Sequence, residues 1–462
     1  MFVPFSEIDI TAYDVIVVGS GPAGASLALQ LEKNAKSVLV FETGLKDYDG
    51  DLQDQFSAIS GRGHYGGSHW ERHWVRAFGG TSSLWGGWCL PLAARSLDSW
   101  PISRSDLDPY YRKAVEFLKI NSEILDFQTP MMDGFDYRPF STDPAIRVLE
   151  DYGKAFESST SVHVVLGVSV SELLFDESRN RLTGVSAVSL DQERRNLGLR
   201  PEQRLVLAAG AMGNAQIMLN SRNGTDVAVG NEYDQVGRYL MEHPHIYGCA
   251  RAILPATWRF PERPGKFGMH ADALVPSDAL YSEFGGVDVS FGIRKVALNS
   301  GDSLENFVAE KLVGEGATAF EIDVRAEMPP DPDNRVELDF GQDPAGLPRL
   351  RTTCVVPSDT LLRIDNYLNL MGTKLADGDL GRLRLSNDVL YFNIEGGGHT
   401  MGTTRMGSNR RSSVVDGNCR VHGFDNLYVA GSSVFATGGF ENPTLSIVAL
   451  AVRLGDHLGG TA

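Results

Sequence analysis

Between Val15 and Val18 four apolar, β-branched residues stand in an unbroken run. Such a run, bounded by turn residues, predicts a strand of a parallel sheet buried on both faces. It stops at Gly19-Ser20-Gly21-Pro22-Ala23-Gly24. A helical period follows, in which Ala25, Leu27, Ala28, Leu29 and Leu31 give one apolar face. A second, mostly apolar run from Ser37 to Phe41 ends at Glu42. The pattern reads strand, glycine turn, helix, strand, acid. Gly19 permits the tight turn, Gly21 lets a pyrophosphate approach the backbone, and Gly24 lets the helix close on the strand. The helix N-terminus offers free N–H groups and a partial positive charge to that phosphate. Glu42 lies 18 residues past Gly24, near the spacing expected of a carboxylate that accepts from a ribose hydroxyl.

Beyond Glu42 a polar, glycine-rich stretch to about Trp74 shows neither period. Its His69 and His73 are spaced i, i+4, but without an HExxH-type pattern they read as loop histidines rather than metal ligands. From Phe78 to Pro91, four glycines and a run of small hydroxyl residues suit a backbone lying along a flat ligand. Trp85 and Trp88 can pack on the edges of that ligand. Ser103 and Asp106 form a capping pair ahead of a helix with Leu107, Tyr111, Ala114 and Leu118 on one face. Between Val162 and Leu190, β-branched runs separated by turns predict a small antiparallel sheet. Arg204 to Gly210 reads as a buried strand ending in small residues, followed by helical Asn214 to Asn220. From Cys249 to Asn393 the pattern weakens. An antiparallel sheet is expected there, including the alternating run Arg335 to Phe340, with a helix from Thr360 to Lys374 lying on it. Near the C-terminus His399 sits in a glycine-rich turn, and Asn426 to Ser432 is a strand ending in small residues. The run from Glu441 to Val452 begins a helix apolar on nearly every side, hence buried. Asn442 and Pro443 are placed as its N-cap and first residue. A buried helix N-terminus stabilises negative charge.

A chain of 462 residues can hold two or more cores. Its hydrophobic fraction of 42% and charged fraction of 22% are those of a globular protein. A formal charge of −17 argues against nucleic-acid partners and anionic membranes. The four cysteines are scattered with no CxxC, so zinc, thiol-redox and disulfide-framework readings lack support. The N-terminal residues do not read as a signal peptide, and no apolar run is long enough to span a membrane. A soluble, cytoplasmic protein is expected.

Taken in order, GSGPAG, GGTSSLWGG, WPISRSDLDPYYRKA, LVLAAGAMGNAQIML, VGRYLMEHP, HTMGTTRMG and NLYVAGSSVFATGGFENPTLS resemble the glucose–methanol–choline (GMC) flavoprotein oxidoreductases. The resemblance implies an α/β fold: a discontinuous Rossmann-like FAD-binding domain over 1–120, 160–248 and 390–462, and an α+β substrate domain with an antiparallel sheet over 121–159 and 249–389. It implies cofactor contacts at Gly19, Gly21, Pro22, Ala23, Gly24 and Glu42, and at Gly80, Thr81, Ser82, Trp85 and Gly86. Further contacts are implied at Val170, Ala209, Gly210, Gly431, Ser432, Asn442, Pro443 and Thr444. His399 matches the family's catalytic base and Asn442 its partner. The ending Asn-Pro-Thr is closest to pyranose oxidases and related sugar or glycoside oxidases. Where those carry a flavin-linked histidine this chain has Leu84, so non-covalent FAD is expected. The implied reaction is FAD-dependent oxidation of a secondary alcohol of a sugar, glycoside or related polyol to a ketone. His399 removes the proton, flavin N5 takes the hydride, and oxygen or another acceptor takes the electrons. With an unperturbed pKa near 6.5, histidine is available as a base at neutral pH. Alternatives are a lyase of the same fold without net flavin turnover, and an inactive flavin-binding scaffold, against which His399 and Asn442 count.

Overall fold

The computed structural model describes residues 1–56, 59–178, 180–262 and 270–460. Positions of the expected domain ranges that fall between these segments lie outside the described residues. In chain order, the elements that build the site are β1 (Val15–Val18), α1 (Pro22–Lys33), β2 (Val38–Glu42), α2 (Gly67–Arg72), α3 (Arg104–Leu118), β3 (Val162–Leu166), β4 (Arg204–Leu207), α4 (Gly210–Asn220), β5 (Pro244–Leu254), β6 (Val289–Val296), β7 (Thr318–Ala326), α5 (Ser358–Asp377), β8 (Leu427–Val429) and α6 (Thr444–Gly459).

The unbroken apolar runs become the centre of a five-stranded parallel sheet in the order β8-β4-β1-β2-β3. Every residue of β1 and β2 is buried, as strands covered on both faces require. Helix α1 packs on this sheet, and α6 packs against α1 and α3. Asp456 on α6 joins three helices: it accepts from Gln30 of α1 at 2.5 Å and pairs with Lys113 of α3 at 2.6 Å. The α3 capping box forms as its sequence predicts. One expectation is corrected here. Val162–Leu166 is not part of a local antiparallel sheet but the edge of the parallel one, with Val162 opposite Val38. Only Val168–Phe175 and Leu182–Ser189, with Arg194–Gly198, form the antiparallel meander. An apolar run of five residues fixes a strand but not its partner.

The second large sheet is antiparallel. It runs from Arg382–Leu385 through β5, β7, β6, Ala273–Pro276 and Phe135–Tyr137 to Thr129–Met132, with Glu395–Gly396 also paired to β5. Its register sets His245 of β5 opposite Arg325 of β7. Helix α5 lies over it, Tyr367 meeting Phe291 of β6 with ring centroids 6.3 Å apart. The alternating run from Arg335 forms its strand, Arg335–Gln342, but outside this sheet. It pairs with Pro348–Cys354, which in turn runs parallel to Ile59–Gly63. The polar stretch after Glu42, in which no period was visible, holds a helix at Gly50–Phe56, the strand Ile59–Gly63 and α2. That strand buries only Ile59, and α2 is too short to display a period. Among the described residues no helix is long and apolar enough to cross a membrane.

Candidate active site

A cavity of about 710 Å³ lies between the two large sheets, running from the Gly19–Ala23 turn to His399 and Asn442. The residues expected to contact a cofactor line it, with two exceptions. Gly24 is a packing glycine: a Cβ there would lie 1.9 Å from the Gly19 carbonyl oxygen. Ser82 turns away, its Oγ donating to the Gly79 carbonyl at 2.7 Å and accepting from Val148 N–H at 3.3 Å. The turn needs its first glycine, because Gly19 has φ +105° and a Cβ there would meet the Ala208 carbonyl at 2.5 Å. Helix α1 starts at Pro22 with no side-chain cap, so its first-turn N–H groups are not satisfied by a cap. Glu42 is buried. Its Oε2 accepts from Ser20 N–H and Oγ–H at 3.0 and 2.6 Å, and Oε1 from Gly44 N–H at 2.8 Å. A carboxylate has about four lone-pair sites, so one remains for a ribose hydroxyl. Burial raises the Glu42 pKa, against the opposing pull of these donors and of Arg76. The glycine cradle, the uncapped helix start and the acid with a free lone pair fit a dinucleotide cofactor.

That reading gives a test. Glu42→Ala is expected to weaken FAD binding roughly tenfold to a hundredfold, the worth of a hydrogen bond to a charged group. Fluorescence titration of apoprotein with FAD measures it. Unchanged affinity would mean that bracing Ser20 and Gly44 is the whole role of Glu42.

At the other end of the cavity the turn Gly396-Gly-Gly-His399 follows a strand pairing to β5. Histidine rings pack directly on its backbone: a Cβ at Gly397 would lie 2.6 Å from His399 Nδ1, and one at Gly398 2.3 Å from the His73 ring. The turn is anchored from β5's entry by Glu242, a fully buried carboxylate. Glu242 Oε1 accepts from His399 N–H at 2.7 Å and His243 N–H at 2.8 Å. Its Oε2 accepts from Gly398 N–H at 3.1 Å and His69 Nε2 at 2.6 Å. His69, on α2, is thus committed to a carboxylate. His73 donates Nδ1–H to the His69 carbonyl at 2.7 Å. Among the described residues no group of three or more His, Cys, Asp or Glu side chains is placed to hold a metal.

The tautomer of His399 follows from its neighbours. His243 Nε2 faces the Gly438 carbonyl at 3.4 Å, and a carbonyl only accepts. His243 is fully buried, and burial pushes its pKa down to about 4. It is therefore neutral, with its proton on Nε2 and a lone pair on Nδ1. His399 Nδ1 lies 2.9 Å from that lone pair and must donate to it. The lone pair of His399 is then on Nε2, beside Asn442 Nδ2 at 3.3 Å. Burial, then the neighbouring His243, His245, His73 and Arg325, hold the His399 pKa well below its usual value. The shift favours the neutral ring, so its protonation falls on the acid side of an ordinary histidine.

Asn442 does not cap its helix. Helix α6 begins at Thr444, Pro443 stands at the N-cap with helical dihedrals, and no side chain caps the first turn. The Asn442 amide is turned to His399 instead, and its Oδ1 is buried without a partner. The Asn-Pro-Thr pattern carries an N-cap signal, but the side chain is used by the site.

Sequence reasoning missed Glu242, His243, His245, Tyr247 and Arg325. The first three fall in Met241-Glu-His-Pro-His245, a cluster of titratable residues leading into an apolar strand. Such a density at a buried strand start is a readable signal. Five of the chain's ten histidines, His69, His73, His243, His245 and His399, gather here. Arg325 carried no signal in sequence, because only the β5–β7 register brings it to His245.

Comparison with known proteins places this geometry. Residues 330–451 match the family model described as GMC oxidoreductase. The 2-methyl-1,2-propanediol dehydrogenase of Mycolicibacterium austroafricanum is 25% identical over 96% of this chain and 95% of its own length. The paromamine 6'-oxidase of Streptomyces fradiae is 25% identical over 98% of this chain and 92% of its own. Among solved structures, pyridoxine 4-oxidase from Mesorbium loti superposes with a TM-score of 0.63 at 15% identity, covering 96% of this chain and 99% of that one. These relatives are named as oxidases and a dehydrogenase, and the lyase alternative finds no support among them.

Proposed function

We propose that the chain is an FAD-dependent enzyme of alcohol oxidation of the GMC type, to which its C-terminal part, its relatives and its fold are similar, and that it oxidises a secondary alcohol of a sugar, glycoside or related polyol to a ketone with His399 as the base. The observation that carries the reading is the lone pair of His399 Nε2, set toward Asn442 by the hydrogen bond from Nδ1 to His243. A substrate hydroxyl within hydrogen-bond reach of both gives its proton to Nε2 and accepts from the Asn442 amide, which fixes its orientation. Asn442 itself takes no proton. Bound in the cavity and held by the Gly19–Ala23 turn and Glu42, FAD would supply the hydride acceptor, with oxygen or another acceptor to reoxidise it. The uncapped start of α6, with Pro443 and Thr444 lining the cavity, supplies a partial positive charge where negative charge gathers.

The test is anaerobic bleaching of the bound flavin by a panel of sugars, glycosides, polyols and simple diols, with trapping of the carbonyl product. A ketone from a sugar or polyol supports the reading. Aldehydes formed only from primary alcohols would contradict it.

The cofactor is proposed to be held without a covalent bond. Leu84 lines the cavity and is 57% exposed, but its side chain has no atom that can attach to a flavin. Acid precipitation is expected to leave all yellow colour in the supernatant. Flavin retained in the pellet would contradict this, and peptide mapping would then begin with His73, which also lines the cavity.

A further inference from the structure

We propose that the substrate carries a carboxylate, as a sugar acid or comparable hydroxy acid does, and that Arg325 and His245 hold it while His399 acts on a neighbouring hydroxyl. The inference rests on the alcohol-oxidation reading above and names the substrate class of that same site. Arg325 is only 8% exposed. A buried cation ordinarily has a carboxylate partner or a set of acceptors, because an unpaired charge in a protein interior is costly. Arg138, also buried, obeys that rule by pairing with Glu441 at 2.6 Å; the guanidinium of Arg76, buried in the same cavity, lies over the Trp74 and Phe56 rings with no hydrogen bond or ion pair among the described residues. Among the described residues the Arg325 guanidinium makes no hydrogen bond or ion pair, and only the nearby charges of Tyr247 and Asp323 act on it. It lies over the Trp88 ring, 4.4 Å from the centroid, and lines the cavity together with His399, His245, Tyr247 and Trp88.

A second unsatisfied group stands opposite it. His245 is 6% exposed, and its Nε2 is buried with no hydrogen-bond partner. The antiparallel register makes His245 and Arg325 direct cross-strand partners. Tyr247, two residues along the same strand, has its hydroxyl 3.0 Å from His245 Nδ1. With that hydroxyl donating to Nδ1, the neutral ring carries its proton on Nε2 and becomes a donor beside the guanidinium fork. Two buried groups that both lack an acceptor, on paired strands and in one cavity, specify an anion that supplies two oxygens. A planar carboxylate matches the fork. His399 lies one ring away, 5.7 Å between centroids from His245. An anion held by this pair therefore places the adjoining carbons of its chain next to the base. The same charge repels ammonium groups, so amino sugars are disfavoured at this site.

The experiment uses the holoenzyme and its Arg325→Met and Arg325→Lys variants. Because the Arg325 guanidinium makes no hydrogen bond among the described residues, Arg325→Met breaks none there, although it removes the positive charge near Asp323. Anaerobic flavin reduction is measured with gluconate and galacturonate, with the matching neutral sugars, and with glucosamine. In parallel, glutarate, which has no hydroxyl to oxidise, is titrated against the visible flavin spectrum. The wild type is expected to half-saturate at lower concentration with the acids than with neutral or amino sugars, and to show a saturable spectral shift with glutarate. Arg325→Met is expected to raise the half-saturating concentration of the acids, and of glutarate, roughly tenfold to a hundredfold. The preference for acids over neutral sugars then collapses. Arg325→Lys recovers part of it, since charge without the fork is retained. A wild type that prefers neutral or amino sugars would overturn the proposal, as would equal losses toward acids and neutral sugars in Arg325→Met. Should no alcohol reduce the flavin, the function reading fails, and the glutarate titration still decides whether Arg325 binds a carboxylate.

Discussion

His399→Ala is expected to keep the fold and its FAD while reducing the bound flavin at least ~100-fold more slowly than the wild type, the lower end of what a positioned general base contributes. The substitution removes the side chain proposed to take the substrate proton, whose Nε2 lies 3.3 Å from Asn442 Nδ2. It leaves the backbone contacts of the turn intact, because His399 N–H still donates to Glu242. The Gly19–Ala23 turn and Glu42, proposed to hold the FAD phosphates and ribose, line the far end of the cavity. Flavin content, circular dichroism and anaerobic reduction rate together measure the outcome. Unchanged flavin content with a collapsed rate fits a base. A variant that reduces at nearly the wild-type rate with a saturating substrate removes His399 from the chemistry.

Glu242→Gln is expected to show the second large effect, on stability and activity together. The Glu242 carboxylate receives four donors, from His243 N–H, His399 N–H, Gly398 N–H and His69 Nε2. An amide oxygen can serve two of them, and the amide NH₂ then faces at least one backbone N–H donor to donor, since of the four only the His69 ring can switch tautomer and accept. Each unsatisfied buried donor costs about 1–3 kcal/mol. The same change loosens the turn that aims His399, so flavin reduction slows in parallel. Urea unfolding and anaerobic reduction of the variant check this. A variant as stable and as fast as the wild type would mean that the turn is positioned by its glycines and ring contacts alone.

The parts of the molecule that local chemistry encodes were legible in sequence. The Gly19–Gly24 turn lies between two short strands with an acid at the end, and the whole unit spans thirty or so residues of contiguous chain. Its strands, helix and Glu42 fall where the pattern puts them. His399 and Asn442 were reached through resemblance, and the structure brings them within 3.3 Å of each other. What sequence could not supply was long-range pairing. Val162–Leu166 carries the right strand signal, yet nothing local tells it to pair with β2. Arg335 to Phe340 alternates as a strand should, yet its partners lie at Pro348–Cys354 and Ile59–Gly63. Arg325 joins the site only because β5 and β7 align in one register. Asn442 shows the converse case: a residue type favoured at helix caps is drawn off by the chemistry of the cavity.

The most direct test of the central claim is the pH dependence of anaerobic flavin reduction, followed by stopped flow with a saturating substrate. Burial and four cationic or imidazole neighbours favour neutral His399, so its proton is lost well below the usual histidine range. The rate is expected to be flat from neutral pH upward and to fall only in acid, as the lone pair on Nε2 is taken by a proton. The His399→Ala enzyme is expected to lose that acid limb along with its rate. A wild-type rate that keeps climbing through the ordinary histidine range and beyond, or an acid limb that survives in His399→Ala, would show that another group removes the proton.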